Sequence, residues 1–369
     1  MKIPFFSLDQ QHQTIWAELD KAIASVLKKS QFVLGEEVLS FEKEFAFFQN
    51  TKHCVSVANG LDALFISLKA LGIDKGDEVI VPSHTFFATW LAVSRAGATP
   101  VPVEVDPACF TINTLLIEQA ITNRTKAIIP VNLYGHPCRL DEILKLAIKY
   151  QLFVVEDNAQ AHGAVYDGKM TGSWGHINAT SFYPTKNLGA LGDGGAITTD
   201  NSMFGQFAGS FRNYGSLEKD SHELLGINSR LDEMQAAILR IKLQHLEERN
   251  NQRRKNASLY FDQLKNVGDI ILPPNLDEKC LPVYHLFVIQ ANHRDRLKNY
   301  LGERGVGTAI HYPTPIHLQE AYKNLGYMKG SLPVAERLSE TVLSLPIWPG
   351  LGKEQIEFIC SCVKDFFKS

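Results

Sequence analysis

Two helical patterns open the chain. Over residues 13–29, Ile15, Leu19, Ile23 and Leu27 recur at every fourth position, and over 36–49 Val38, Phe41 and Phe45 follow a similar spacing. Each predicts an amphipathic helix, with Ser30–Gly35 between them. After that the period changes. Apolar runs of strand length, Cys54–Val57, Glu78–Pro82, Pro100–Val105, Ala127–Val131, Phe153–Glu156 and Ala179–Tyr183, alternate with stretches that predict helices. Those stretches run from the turn Ala58–Ala63 to about Leu71, through Ser83–Val93, and over 113–121, 139–150 and 202–212. Strands spaced by helices in this way predict a mainly parallel, buried sheet, an α/β fold. A long helix is expected to open at Gly226-x-Asn228-x-Arg230, with Met234, Ala237, Ile238, Ile241 and Leu246 on its apolar face. Asn228 would suit its N-cap. The charged run 247–260 predicts a solvated helix face leading to a second unit, in which short strands and helices alternate from about Ile270. At 369 residues the chain exceeds what one core usually supports. Two domains are therefore expected, 1–248 and a smaller 249–369.

Composition narrows the partners. Hydrophobic residues make up 45% and charged residues 21%, values ordinary for a globular protein. A net charge of −3 advertises no face for nucleic acid or an anionic membrane. No apolar run approaches the ~20 residues that span a bilayer, and Met1–Gln11 lacks the apolar core of a signal peptide. The six cysteines are scattered, which fits reduced thiols in a cytoplasmic protein. Cys360-x-Cys362 reads as one apolar and one turned-away thiol on a carboxyl-terminal helix. No His/Cys cluster has zinc spacing, so no metal is expected.

The chemistry concentrates between Phe153 and Thr199. The strand Phe153–Glu156 stops on acidic residues and places Asp157 at its carboxyl end, where ligands meet an open α/β sheet. The next strand ends beside Lys186, and Gly189, Gly192, Gly194 and Gly195 follow. A carboxylate and a lysine on neighbouring strand ends suit pyridoxal phosphate. Its aldehyde needs an amine, and its ring nitrogen stays protonated beside a negative charge. Taken one at a time, these are equally a surface lysine, a strand-capping aspartate and a hairpin turn. Ala58–Ala63, a strand, glycine turn and helix start, makes an anion site or a plain βα turn. Asn132–His136 closes a strand and lines the pocket; His136 and His162 read as structural histidines. No strand leads into G-x-G-x-x-G, which argues against a nicotinamide dehydrogenase.

These segments read E-D-x-A-Q-x-x-G-A at Glu156–Ala164, S-F-x-x-x-K-N-L-G at Ser181–Gly189 and G-D-G-G-A at Gly192–Ala196. In them the chain resembles the DegT/StrS family of PLP-dependent nucleotide-sugar aminotransferases, and the likeness runs nearly its whole length. The resemblance implies the type I aminotransferase fold: a large domain with a mainly parallel mixed sheet and a smaller carboxyl-terminal α/β domain. It implies Lys186 and Asp157 as the catalytic pair. The cofactor phosphate would lie on the amides of Gly60 and Leu61 with Ser181. Leu61 stands where many members have threonine, so it would offer only its amide. Phe86 would stack on the ring, Gln160 would meet its hydroxyl or lie along it, and Asn228 would reach the cofactor phosphate of a neighbouring subunit. That makes a homodimer with the site at its interface. The HYPTPIHLQ loop, with His311 and Tyr312, would cover the sugar, with Tyr183 and Lys219 contacting it or its diphosphate. Within the family, these loops look like those of transaminases that convert dTDP-linked 3-keto-6-deoxyhexoses to 3-amino-3,6-dideoxyhexoses. The donor, by family habit, is glutamate, and the cofactor passes through its pyridoxamine phosphate form. Amination of a 4-keto sugar and a non-catalytic regulator are the alternatives; the sugar dehydratases of the family carry histidine in place of Lys186.

Overall fold

The computed structural model describes residues 1–216, 221–274 and 278–368. A seven-stranded sheet lies at its centre, in the order His53–Val57, Gly195–Thr199, Ile177–Ser181, Phe153–Asp157, Thr125–Ile128, Glu78–Pro82, Thr99–Val103. Only Gly195–Thr199 runs against its neighbours; the other six strands share one direction. The expected α/β fold with a mixed, mostly parallel sheet is thus present. Its strands are largely buried because helices cover both faces. Glu78–Pro82 and Gly195–Thr199 are buried along their whole length.

Helix starts follow local chemistry. Asn59 caps Gly60–Ala70, its side chain accepting the Asp62 N–H at 2.9 Å. The helix Glu36–Gln49 begins at Gly35, and its first amides are met from far along the chain. The buried Glu233 carboxylate accepts from Gly35 N (2.7 Å), Glu37 N (2.9 Å) and Val38 N (2.9 Å), which puts negative charge at the positive end of the helix.

Several expectations need correction. The helix after Glu78–Pro82 begins only at Phe87, leaving Ser83–Phe86 as a bent loop at the strand end. The long helix after Gly226 starts at Glu233 with Asp232 before it, so Asn228 is not its cap. Residues 227–229 pair instead with the segment Phe211–Tyr214. The helix Leu246–Leu264 is solvated on one face only: Glu247, Glu248, Asn251 and Lys255 are exposed, whereas Arg249, Asn250, Arg253 and Asn256 are buried. Arg253 Nη1 donates to Tyr284 O (3.2 Å), His285 O (3.3 Å) and Ile347 O (3.1 Å), and Asn256 Nδ2 reaches Trp348 O and Leu351 O. Burying these groups is tolerable because each polar head finds carbonyls that lacked a donor. Cys360 and Cys362 are both buried, with burial raising both thiol pKa values.

In the carboxyl-terminal part, Phe287–Gln290 pairs antiparallel with Val342–Leu345. The helices Leu246–Leu264, Arg294–Glu303 and Lys353–Phe366 share a core with this pair, which Ile3 joins from the chain start. Leu286, Val288 and Val342 also pack into the central core. Among the described residues, no helix is long and apolar enough to cross a membrane.

Candidate active site

The carboxyl ends of the parallel strands open into a cavity of about 450 Å³. All the residues that the resemblance assigns to catalysis, cofactor or substrate line it except Asn228 and Lys219; Lys219 lies outside the described residues. Among the described residues, no group of histidines, cysteines and carboxylates could hold a metal ion.

Asp157 ends its strand at the floor. Its carboxylate accepts from Thr89 Oγ1 (3.0 Å) and Ala159 N (3.2 Å). Burial raises its pKa, against the pull of those two hydrogen bonds and of the Lys186 charge. Behind it Glu156, also buried, accepts from Asn132 Nδ2, Gly172 N and Trp174 N and fixes the loop beneath the strand end.

Lys186 sits in a compact turn. Its own N–H donates to Tyr183 O (2.8 Å), and Ala190 N closes the turn on Phe182 O (2.8 Å). Gly189 is required there, because a Cβ would lie 2.4 Å from Pro184 O. From the far side Lys242 Nζ donates to Gly189 O (2.7 Å), and Asn187 Nδ2 to Asn250 Oδ1 (2.9 Å) and Val283 O (3.1 Å). Burial lowers the Lys186 pKa to about 8, although Asp157 acts to raise it. Among the described residues the amine has neither an ion pair nor a hydrogen bond.

At the opposite end, the first amides of the helix Gly60–Ala70 have no intrahelical acceptor. The chain approaches itself closely here. A Cβ on Gly60 would lie 2.6 Å from Ser181 Cβ, and one on Gly195 2.5 Å from the Asn59 carbonyl carbon. Val57, Gly195 and Ser181 lie side by side in the sheet. The result is a cup of backbone N–H groups with the Ser181 hydroxyl at its rim.

Phe86 and Tyr183 flank the mouth, each 53% exposed. The Phe86 ring meets that of Tyr312, with centroids 5.5 Å apart. Gln160 is already engaged on both sides: its Oε1 accepts from Tyr134 N (2.7 Å) and its Nε2 donates to Tyr312 Oη (3.1 Å). His311 shares a hydrogen bond with Ser344 Oγ through Nδ1 (2.8 Å). Burial, aided by the Lys186 charge, lowers its pKa to about 4, so it is neutral near pH 7.

Asn228 lies on an extended segment whose side chains alternate. Ser229 points inward, accepting from Ala58 N (3.1 Å) and donating to Asp62 Oδ2 (2.8 Å). Asn228 points out to solvent and donates to Tyr214 Oη (2.9 Å), away from this chain's own cavity. Of Asn132–His136, only Leu133 lines the cavity. His162 is buried under Phe182 and hydrogen-bonded to Thr180 Oγ1 (3.1 Å), in keeping with a structural histidine. The sequence reading passed over Thr89, Thr185, Asp193 and His285, all at the cavity wall. Thr89 closes the Thr85-Phe86-Phe87-Ala88-Thr89 run already singled out for its aromatic. His285 carried no local signal.

A carboxylate floor, a buried amine and an anion cup on type I architecture define a transaminase-like site. The family model described as DegT/DnrJ/EryC1/StrS aminotransferase family matches residues 13–364, and the chain belongs to this family. Two relatives are each 48% identical to it. One is the "Erythromycin biosynthesis sensory transduction protein EryC1" of Saccharopolyspora erythraea, aligned over 367 residues and 99% of both chains. The other is the dTDP-3-amino-3,4,6-trideoxy-alpha-D-glucose transaminase of Streptomyces venezuelae, aligned over 368 residues, 99% of this chain and 96% of that one. The crystal structure of S. venezuelae DesV in complex with a ketimine intermediate superposes with a TM-score of 0.98 at 47% identity, covering 100% of this chain and 99% of that chain.

Proposed function

We infer that the chain is a PLP-dependent transaminase that places an amine on C3 of a dTDP-linked 3-keto-6-deoxyhexose, taking it from an amino acid, by family habit L-glutamate. One observation carries the reading: a lysine amine lowered to about 8 opens on the same cavity as a buried carboxylate that no cation pairs among the described residues. The donor set fits the cofactor. Asp157 suits a ring N–H⁺, the Gly60 and Leu61 amides with Ser181 suit a phosphate, and Phe86 at the mouth suits a flat ring.

When bound, pyridoxal phosphate supplies an aldehyde for covalent capture and a ring that spreads negative charge from carbon. The protein does the rest. Asp157 holds the ring-nitrogen proton in place. Lys186 Nζ accepts the substrate proton and returns it, and a pKa near neutrality suits both tasks. His311, its pKa lowered to about 4, is too weak a base near pH 7 to compete for that proton and so serves to position. Tyr312 and Phe86 narrow the mouth and exclude water. Both half-reactions use one amine, so ping-pong kinetics follow.

The reading extends to a homodimer. The exposed Asn228, beside Tyr214, is oriented to serve the cofactor phosphate of a second copy rather than of its own. Lys219 would meet the diphosphate, and Tyr183, His311 and Tyr312 the sugar. The chain would divide into domains at about 248, work in the cytoplasm and feed amino-sugar assembly. The relative named for sensory transduction favours a regulatory alternative. Incubation with glutamate and a panel of dTDP-3-keto- and 4-keto-sugars, with products read by mass and NMR, decides among these. A 3-amino product supports the reading. A 4-amino product, or a colourless protein that turns over none of them, refutes it.

A further inference from the structure

Tyr134 is not on the cavity wall, yet it holds the loop that is. Its ring is buried against Phe110, with centroids 5.3 Å apart, and its backbone has positive φ at the end of Asn132–Tyr134. Four polar contacts meet on this one residue. Its N–H donates to Gln160 Oε1 (2.7 Å), and its carbonyl accepts from Leu286 N (3.3 Å). Its hydroxyl donates to the His311 carbonyl and shares a second hydrogen bond with His84 Nε2 (2.8 Å). Gln160 then carries the link on to Tyr312 Oη (3.1 Å). Thus His311 and Tyr312, which lie next to each other on the loop, are held from one residue by two routes.

Proton accounting fixes the direction of this chain. A carbonyl can only accept, so the single hydroxyl proton of Tyr134 goes to His311 O. Toward His84 the phenolic oxygen must then accept, which requires the proton of the imidazole on Nε2. His84 is buried, and burial lowers its pKa to about 4. Neutral His84 in that one tautomer completes the chain His84 Nε2–H to Tyr134 Oη–H to His311 O.

We propose that Tyr134, held by His84, is a positioning residue for the acceptor side of the site, setting where His311 and Tyr312 stand over the sugar. The proposal rests on the sugar-binding reading above for its substrate, but not for its geometry. Among the described residues no hydrogen bond joins Asp157, Lys186 or the anion cup to this chain of bonds, so the donor half of the reaction should be largely spared.

The test uses the full-length holoenzyme and Tyr134→Phe, which keeps the ring and the backbone N–H. Hydrogen exchange of the peptide spanning 309–316 is expected to quicken, with the peptides holding Asp157 and Lys186 unchanged. The KM for the keto sugar should rise roughly tenfold, the scale of one lost buried hydrogen bond. The single-turnover rate with glutamate alone should stay within twofold. His84→Leu removes the donor to Tyr134 Oη and should move the same readouts by less; it also decides the matter if the phenylalanine variant does not fold. His84→Gln, whose amide N–H can replace the imidazole donor, should restore near-native behaviour. Unchanged loop exchange in both Tyr134→Phe and His84→Leu overturns the proposal, as does an equal loss in both half-reactions. If the wild-type enzyme turns over no keto sugar, the substrate reading has failed, while the exchange data still judge the positioning role.

Discussion

Removing the charge of Asp157 should stabilise the empty protein and weaken the loaded one. In the protein without cofactor Asp157 is 5% exposed, with two donors and, among the described residues, no paired cation. Burial of a charge costs several kcal/mol even after relaxation, and two charge-assisted hydrogen bonds return about 1.5–3 kcal/mol each at best. The raised pKa says that the balance is unfavourable. Asparagine can keep the local bonds: its Oδ1 would still accept from Ala159 N, and its Nδ2 would donate to Thr89 Oγ1. That hydroxyl then turns to Thr85 Oγ1, 3.0 Å away. The net gain for Asp157→Asn in the cofactor-free protein is on the order of 1–2 kcal/mol, read as a few degrees in Tm. The gain must also depend on pH. A raised folded pKa means that the unfolded chain releases this proton first, so the wild type loses stability as pH climbs from the unfolded value of 3.8 through the folded one. The gap between variant and wild type should therefore widen as pH climbs through the folded pKa and close as pH falls toward the unfolded value of 3.8. With pyridoxal phosphate added the order should reverse, because the wild type gains a pairing that the variant cannot make. Thermal unfolding of both proteins, with and without cofactor, at pH 5 and pH 7.5 measures all of this. A cofactor-free variant less stable than wild type at pH 7.5 refutes the reasoning.

Further outcomes follow from the same geometry. Lys186, with its pKa lowered to about 8, should give the acceptor half-reaction a rate that rises with pH up to about 8 and then levels, seen in single-turnover pH profiles. Because the unfolded lysine keeps its proton up to 10.5, Lys186→Met should stabilise the cofactor-free protein at pH 7, with the difference shrinking between pH 8 and 10.5 in urea titrations. Gly195→Ala would press a Cβ to 2.5 Å from the Asn59 backbone, so cofactor affinity by absorbance titration should fall at least about tenfold, a ~1.4 kcal/mol change. Arg253→Met strips the donor from the Tyr284, His285 and Ile347 carbonyls and should cost roughly 1–3 kcal/mol in urea unfolding, because losing the donor outweighs the relief of a buried charge whose pKa burial lowers to about 9; Arg253→Lys, with a point charge instead of a fork, should fall between.

Six of the seven strands of the central sheet were legible because a sheet buried on both faces shows as apolar runs; Gly195–Thr199, following a glycine turn and ending in two threonines, was not. The Asp157–Lys186 pair was legible because it stands on the ends of neighbouring runs. What escaped were polar residues whose partners lie far along the chain. Asn228 before a helical period looks like a cap, but its segment is drawn into pairing with Phe211–Tyr214 and the helix waits until Glu233. The run 247–260 looks solvated by composition. On its inner face Asn250, Arg253 and Asn256 are instead buried, meeting Asn187 and the carbonyls of Tyr284, His285, Ile347, Trp348 and Leu351. Thr89 meets Asp157 across 68 positions, and His285 reaches the wall from the carboxyl-terminal part. Periodicity reports which way a residue faces, not which distant group it will meet.

The reversed strand Gly195–Thr199 has a wider effect. It returns the chain from the lysine turn directly to the rim of the cup, in register between Val57 and Ser181. The span from amine to anion is thereby set by one hairpin, and a slip of one residue would invert every side chain along it. Such a gauge leaves evolution little room to change the length of the molecule held at the bottom. Variation is left to the loops around the mouth, where one scaffold can be refitted to different sugars while its innermost tenant stays the same.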